Sequence, residues 1–236
     1  MNAGLETYDV QGRLVHGDKY YVGTLLYNEI YPVTGGFVGI TGGFLKPTYG
    51  GVCFVAATTP FYVNSTVCPD GNLWQEDDGI RIYGLTNKSI YPRNIKTWTF
   101  GIPPIGGKRY GLDVFNSKGE LTFNSENPYM EIVGVYQMKV GDPQGGNITS
   151  INTGFIGGNY AVCLTSSNVY TVMRYETATG LFVDHDYQMC IYLDSSGILH
   201  AMPKQIYEVE NPFGVNPQHN GSSGTVLIAD ISRYPL

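Results

Sequence analysis

The chain has 236 residues, enough for one large domain or two ordinary ones, each able to bury a core. Apolar residues make up 42%, as in a globular protein, but charged residues only 14%, well below the usual share. The net charge is −6 and the 14 basic residues form no run, which argues against a phosphate-tracking surface, and no nucleic-acid partner is expected.

The opening "MNAGLETYDVQ" has neither a basic start nor an apolar core, which predicts no signal peptide. Within it "GLETYDVQGRL" (Gly4 to Leu14) reads as strand, turn and strand. Leu5 and Thr7 face one way and Glu6 and Tyr8 the other, because strand side chains alternate. Asp9 begins a type I turn whose backbone N–H groups its carboxylate accepts, and Gly12 takes the left-handed position that makes a bulge and returns the chain.

Strand-forming runs follow, rich in Val, Ile, Tyr, Phe and Thr and cut by Gly, Pro and Asn: "KYYVGTLLYNEIY", "GVCFVAATTPFYV", "IRIYGL" and "IKTWTFGI". The second is the longest apolar stretch; it contains Gly, Thr and Pro and is too short to cross a bilayer, so no membrane insertion is expected. "FGIPPIGGKRYG" reads as a linker because of Pro103, Pro104, Gly106 and Gly107. Beyond it the opening returns as "GLDVFNSKGEL", position for position: Leu112 and Val114, Asp113 and Phe115, then Asn116 and Gly119 as the turn residues. Further runs are "MEIVGVYQMKV", "YAVCLTSSNVYTVMRY", "MCIYLD" and "GTVLIADIS". "IYLDSSGIL" (Ile191 to Leu199) is a third Asp-x-x-Gly hairpin, with Asp194 and Gly197 at the turn; Asp-x-x-Gly is also simply a common turn. "ENPFGVNPQHNGSSG" reads as a long surface loop.

Helix signals are scarce: seven alanines, and no window of a dozen residues with helical apolar spacing. The expected fold is all-β: two tandem antiparallel β-sandwich-like domains with little or no helix, residues 1–103 and 110–236, joined by a Pro/Gly linker at 104–109, each starting with the same edge hairpin.

Reaction chemistry is sparse. His185 lies in "DHD", between Asp184 and Asp186, but strand neighbours point to opposite faces and cannot converge on a metal; a solvated turn after "TGLFV" is expected there. His16, His200 and His219 sit singly near turns without an acidic partner at useful spacing. There is no G-x-S-x-G and no H-E-x-x-H, and glycine-rich "VTGGFVGITGGF" lacks the Lys and following helix of a phosphate loop. Glu76, Asp77 and Asp78 beside Trp74 resemble the lining of a sugar site, yet three consecutive acids in a glycine-rich loop read as an exposed turn rather than a glycosidase pair. Calcium loops carry a fuller ligand pattern. The four cysteines form no CxxC pair and are expected as reduced, buried thiols. No catalytic residue, cofactor or metal is expected.

The stretch "YGLDVFNSKGELTFNSE" (Tyr110 to Glu126), continuing into "PYMEIVGVY", resembles the opening "GL-x-V-[FY]-[DN]-x-x-G-x-L-x-[FL]-[DN]-S" of small β-rich proteins encoded in the tail-gene regions of tailed bacteriophages and prophages. "MNAGLETYDVQGRLV" is similar to it but departs after Val15, where "HGDKYY" replaces the polar ending. The resemblance implies a non-enzymatic component of a virion tail, associated with the tail fibre, tail tip or baseplate. It would be assembled in the host bacterial cytoplasm, with other tail proteins and further copies of itself as partners. The alternative is a receptor-binding module that grips a host-surface glycan or protein through its loops. Contact candidates for that are Trp74, Glu76, Asp77 and Asp78 in one loop and Phe213, Asn216 and His219 in another. A glycan-degrading enzyme is the third reading.

Overall fold

A computed structural model describes residues 7–8, 14–16, 24–32, 43–44, 52–57, 62–66, 79–83, 94–101, 112–125, 128–141, 148–167, 170–211 and 221–234. Among these the chain is all-β, with seventeen strands and no helix, and every strand pairing is antiparallel. Two large sheets pack face to face as a β-sandwich-like body. The first, here the central sheet, runs in the order β11 (Ile132–Val140), β17 (Ser222–Asp230), β13 (Tyr160–Ser167), β5 (Val52–Ala56), β8 (Asn94–Gly101) and β3 (Thr24–Pro32). The second, the outer sheet, runs β12 (Thr149–Asn152), β16 (Ile198–Glu210), β15 (Leu181–Leu193), β6 (Tyr62–Thr66), β7 (Gly79–Tyr83) and β4 (Gly43–Phe44), with β14 (Tyr170–Glu176) also paired to β15.

The central sheet is apolar on both faces. Cys53, Val55, Val162, Leu164, Val226 and Ile228 point into a core shared with Tyr187, Met189, Ile191, Leu199 and Ala201 of the outer sheet. Their neighbours Phe54, Ala161, Cys163 and Ala229 enter a second core on the opposite face, with Trp98 and Phe100. Alternation of side chains therefore turns the continuous runs "VCFVA" and "AVCL" into two half-cores, as expected for strands covered on both sides. The chain's end closes the second core: the Trp98 indole donates to the Tyr234 carbonyl at 3.0 Å, and the Phe100 and Tyr234 rings meet edge-on at 5.6 Å. The Tyr234 hydroxyl donates to the Tyr129 carbonyl.

The strands do not divide as two tandem sandwiches. β5 pairs with β13 at Val55↔Val162, and β6 pairs with β15 at Val63↔Ile191, so strands from 1–103 and from 110–236 share both sheets. The expected boundary at 104–109, itself outside the described residues, separates the chain but not the sheets. The physical reason lies in β5 and β8: both send buried side chains into the two cores, and cover for those faces comes from residues of the C-terminal stretch. Likewise "GVCFVAATTPFYV" holds two strands, β5 and β6, one in each sheet, and "YAVCLTSSNVYTVMRY" divides into β13 and β14 in the same way.

The repeated hairpin is present. β9 (Asp113–Phe115) pairs with β10 (Leu121–Asn124), and β1 (Thr7–Tyr8) pairs with β2 (Leu14–His16); Asp9 and Gly12 lie outside the described residues. Each hairpin forms a two-stranded sheet of its own, rather than the edge of a sandwich. At the second turn Asn116 Oδ1 accepts the Lys118 and Glu120 N–H groups, both at 2.9 Å, and Gly119 takes φ +79°. The third turn repeats this: Asp194 Oδ1 accepts the Ser196 and Ile198 N–H groups, both at 2.9 Å, and Gly197 takes φ +82°. A short polar side chain at the first position and a left-handed glycine three residues on give the same turn from different neighbouring sequence.

The buried thiols Cys53, Cys163 and Cys190 are free, as expected; Cys68 lies outside the described residues. Cys53 and Cys163 sit on neighbouring strands but face opposite cores, so they cannot bridge. Burial pushes both up to about 12 and also raises Cys190, which keeps all three as unreactive thiols.

The two turn glycines separate backbone strain from packing. Gly119→Ala places alanine in the left-handed region with open space around it, an expected loss of about 1–2 kcal/mol. Gly197→Ala adds a Cβ 3.0–3.1 Å from the Phe155 backbone and should lose distinctly more. Denaturant midpoints of the two variants, measured side by side, check that order.

Candidate functional site

The expected contact residues Trp74, Glu76, Asp77, Asp78, Phe213, Asn216 and His219 lie outside the described residues. The described chemistry gathers instead on the outer sheet, at the two ends of the long strand β15.

At the beginning of β15, the β14–β15 hairpin carries apolar side chains into solvent. Tyr175 (56% exposed) and Phe182 (38%) are cross-strand partners whose rings meet edge-on at 5.2 Å. Val209, on the same face of the sheet as Phe182, is also exposed, as is Leu181 on the opposite face. Polar groups brace the rim. Asn211 N–H donates to the Phe182 carbonyl at 2.7 Å, its Nδ2 donates to Asp184 Oδ2 at 2.9 Å, and Thr171 Oγ1 donates to Asp186 Oδ1 at 2.6 Å. A cavity of about 190 Å³ opens alongside, lined by Glu176, Thr179, Val183, Glu208, Val209 and Glu210. The rim is thus aromatic and the adjoining cavity acidic.

The "DHD" triplet lies inside β15 and not in a solvated turn. The strand continues because β14 and β16 flank it on both sides, so the charged triplet is carried as part of a paired strand. His185 is buried, while Asp184 and Asp186 bond Asn211 and Thr171, so the three do not converge. His185 Nδ1 lies 2.8 Å from Gln205 Nε2, which also donates to Glu208 Oε2 at 2.9 Å; His185 Nε2 has no hydrogen-bond partner among the described residues. Among the described residues no three His, Cys, Asp or Glu side chains are placed to hold a metal.

At the far end of β15 the third hairpin turn does more than return the chain. Asp194 Oδ1 is held by the Ser196 and Ile198 N–H groups and by the Ser196 hydroxyl at 2.7 Å, which aims Oδ2 at His200 Nε2, 3.1 Å away. The other ring nitrogen, Nδ1, lies 2.9 Å from Ser150 Oγ on the neighbouring strand β12. The imidazole stacks on Tyr192, with centroids 4.5 Å apart and planes 10° from parallel. Tyr192 and Ser150 are the cross-strand partners of His200 on either side, which places all three in one row. His200 therefore does have an acidic partner, six residues upstream, because the tight turn folds Asp194 back beside it.

Desolvation pushes the Asp194 carboxyl up, but the bonds from the Ser196 hydroxyl, Ile198 N–H, His200 and Ser196 N–H outweigh it and hold the group at about 2. Burial, with the Asp194 charge second, raises the Tyr192 hydroxyl.

No protein-family model, curated protein or solved structure matches the chain.

A carboxyl depressed in the folded state stabilises it fully above the unfolded value of 3.8, and that contribution is lost as pH falls toward about 2. Asp194→Asn should accordingly lower stability at neutral pH and flatten its decline between about pH 4 and pH 2. Denaturant midpoints across pH, for both proteins, check the sign and the window.

Proposed function

We propose that this protein is a structural component of a bacteriophage tail, associated with the tail fibre, tail tip or baseplate, and that it works by protein–protein assembly. The observation that carries the reading is the exposed Tyr175–Phe182 pair, with exposed Val209 on the same face of the sheet. Large aromatic side chains on paired strands offer wide contact area at little entropic cost, and interface hot spots are enriched in such rings. The low charge and the 19 tyrosines support an assembly surface. Placement in a phage tail rests on the resemblance carried by Tyr110 to Glu126.

Assembly by this rim predicts a homo-oligomer in solution or co-purification with tail particles. Phe182→Asp combined with Tyr175→Asp should weaken that association about tenfold or more while leaving the fold intact, since both rings are exposed. Mass photometry of the purified protein and its recovery with tails from a lysate check this. A monomer at all concentrations that never joins tails would sink the proposal.

A further inference from the structure

The Asp194–His200–Ser150 chain lies apart from the aromatic rim, at the opposite end of β15, and assembly makes no use of it. We propose that Ser150 is a nucleophile, activated by His200 and oriented through Asp194, that takes acyl esters with a small apolar acyl group.

The tautomer follows from the hydrogen bonds. Asp194, ionised above about pH 2, can only accept, so His200 Nε2 carries the ring proton and donates it. Nδ1 is then the lone-pair nitrogen and accepts the Ser150 hydroxyl at 2.9 Å. The ring nitrogens are used in the reverse order to a serine-protease triad, but the roles match: nucleophile, base, and a carboxylate that fixes the base. The parts are also held. Asp194 is locked by three donors to its other oxygen, and the imidazole is clamped against Tyr192. Ser150 itself is exposed and lies on β12, among the described residues the last strand of the outer sheet on that side.

Along the same strands lie apolar groups that suit the substrate's acyl part. Met202, two residues beyond His200, packs with Cys190 and Tyr192, and Ile148, two residues before Ser150, is 53% exposed. Asn152 follows Ser150 by two residues and so shares its face of the strand. Its Oδ1 accepts the Gly154 N–H at 3.0 Å, leaving Nδ2 as the donor for a developing oxyanion.

In the reaction Ser150 Oγ bonds to the ester carbonyl carbon as its proton passes to His200 Nδ1. The tetrahedral intermediate collapses with loss of the alkoxide, which takes that proton and leaves as the alcohol. Water then attacks the acyl-serine by the same route, releasing the carboxylic acid and restoring Ser150. Ester and water give acid and alcohol.

The test uses the whole protein with an alkyl fluorophosphonate, which forms a phosphorus–oxygen bond to an activated serine and releases fluoride, and with p-nitrophenyl butyrate as the ester. Peptide mass analysis should find the label on Ser150, well above exposed Ser195 and Ser223 in the same sample. His200→Gln should slow labelling and ester turnover about a hundredfold, and Ser150→Ala should abolish both, with melting temperatures near that of the parent. Labelling of Ser150 no greater than that of Ser195 and Ser223, a comparison that needs no variant, would overturn the proposal. So would equal labelling in His200→Gln. The Tyr175→Asp, Phe182→Asp protein should label normally, which keeps this outcome separate from that of the assembly test.

Discussion

The constraint on which the structure depends is that its central sheet must be covered on both faces. In β5 the consecutive residues Cys53, Phe54 and Val55 are all buried, although strand geometry sends the middle one away from the other two. Such a strand leaves no polar side for water, so one face needs a second sheet and the other a cap. The outer sheet supplies the first; Ile231 and Tyr234, with Met130, supply the second over Phe54, Trp98 and Phe100. The mixing of N- and C-terminal strands follows from this demand, because β13 and β17, with "AVCL" and "VLIA", carry the same two-sided apolar text and complete the layer.

Covering the central sheet leaves the outer sheet with one committed face. Tyr187, Met189 and Ile191 of β15 enter the shared core, while the side chains between them belong to the other face. On that other face the polar groups are organised by pairing across strands: Thr171 with Asp186, Asn211 with Asp184, Ser150 with His200. The two ends of β15 thus acquire different characters from one rule. Near the β14–β15 turn the partners are aromatic and open to solvent; near the β15–β16 turn they are a carboxylate, an imidazole and a hydroxyl in sequence.

The turn at Asp194 shows how a structural device becomes a chemical one. Its equivalent, Asn116, uses one oxygen for the same backbone caps, but its second group is an amide nitrogen, bonded to Glu120 at 2.6 Å. With aspartate in that place the second oxygen is an acceptor, and the strand register sets His200 in front of it. Two differences between the hairpins, Asp194 for Asn116 and His200 for Thr122, separate a plain turn from a carboxylate–imidazole pair.

The sequence by itself determined what depends on near neighbours. The all-β character, the hairpin turns at Asn116–Gly119 and Asp194–Gly197, the buried thiols and the non-convergence of the "DHD" side chains were all legible, because φ preference, side-chain alternation and local capping act over a few residues. Even the nearness of Asp194 to His200 was implicit once the turn was assigned, since a two-strand register follows from its turn. Only the tertiary structure decided which strands share a sheet, and with that the merging of two expected domains, the solvent exposure of Tyr175 and Phe182, and the arrival of Ser150 beside an imidazole fifty residues away. Those choices rest on long-range pairings such as Val55↔Val162 and Ser150↔His200. Many strands of similar apolar text compete for each such pairing, and only the joint burial of all of them selects one.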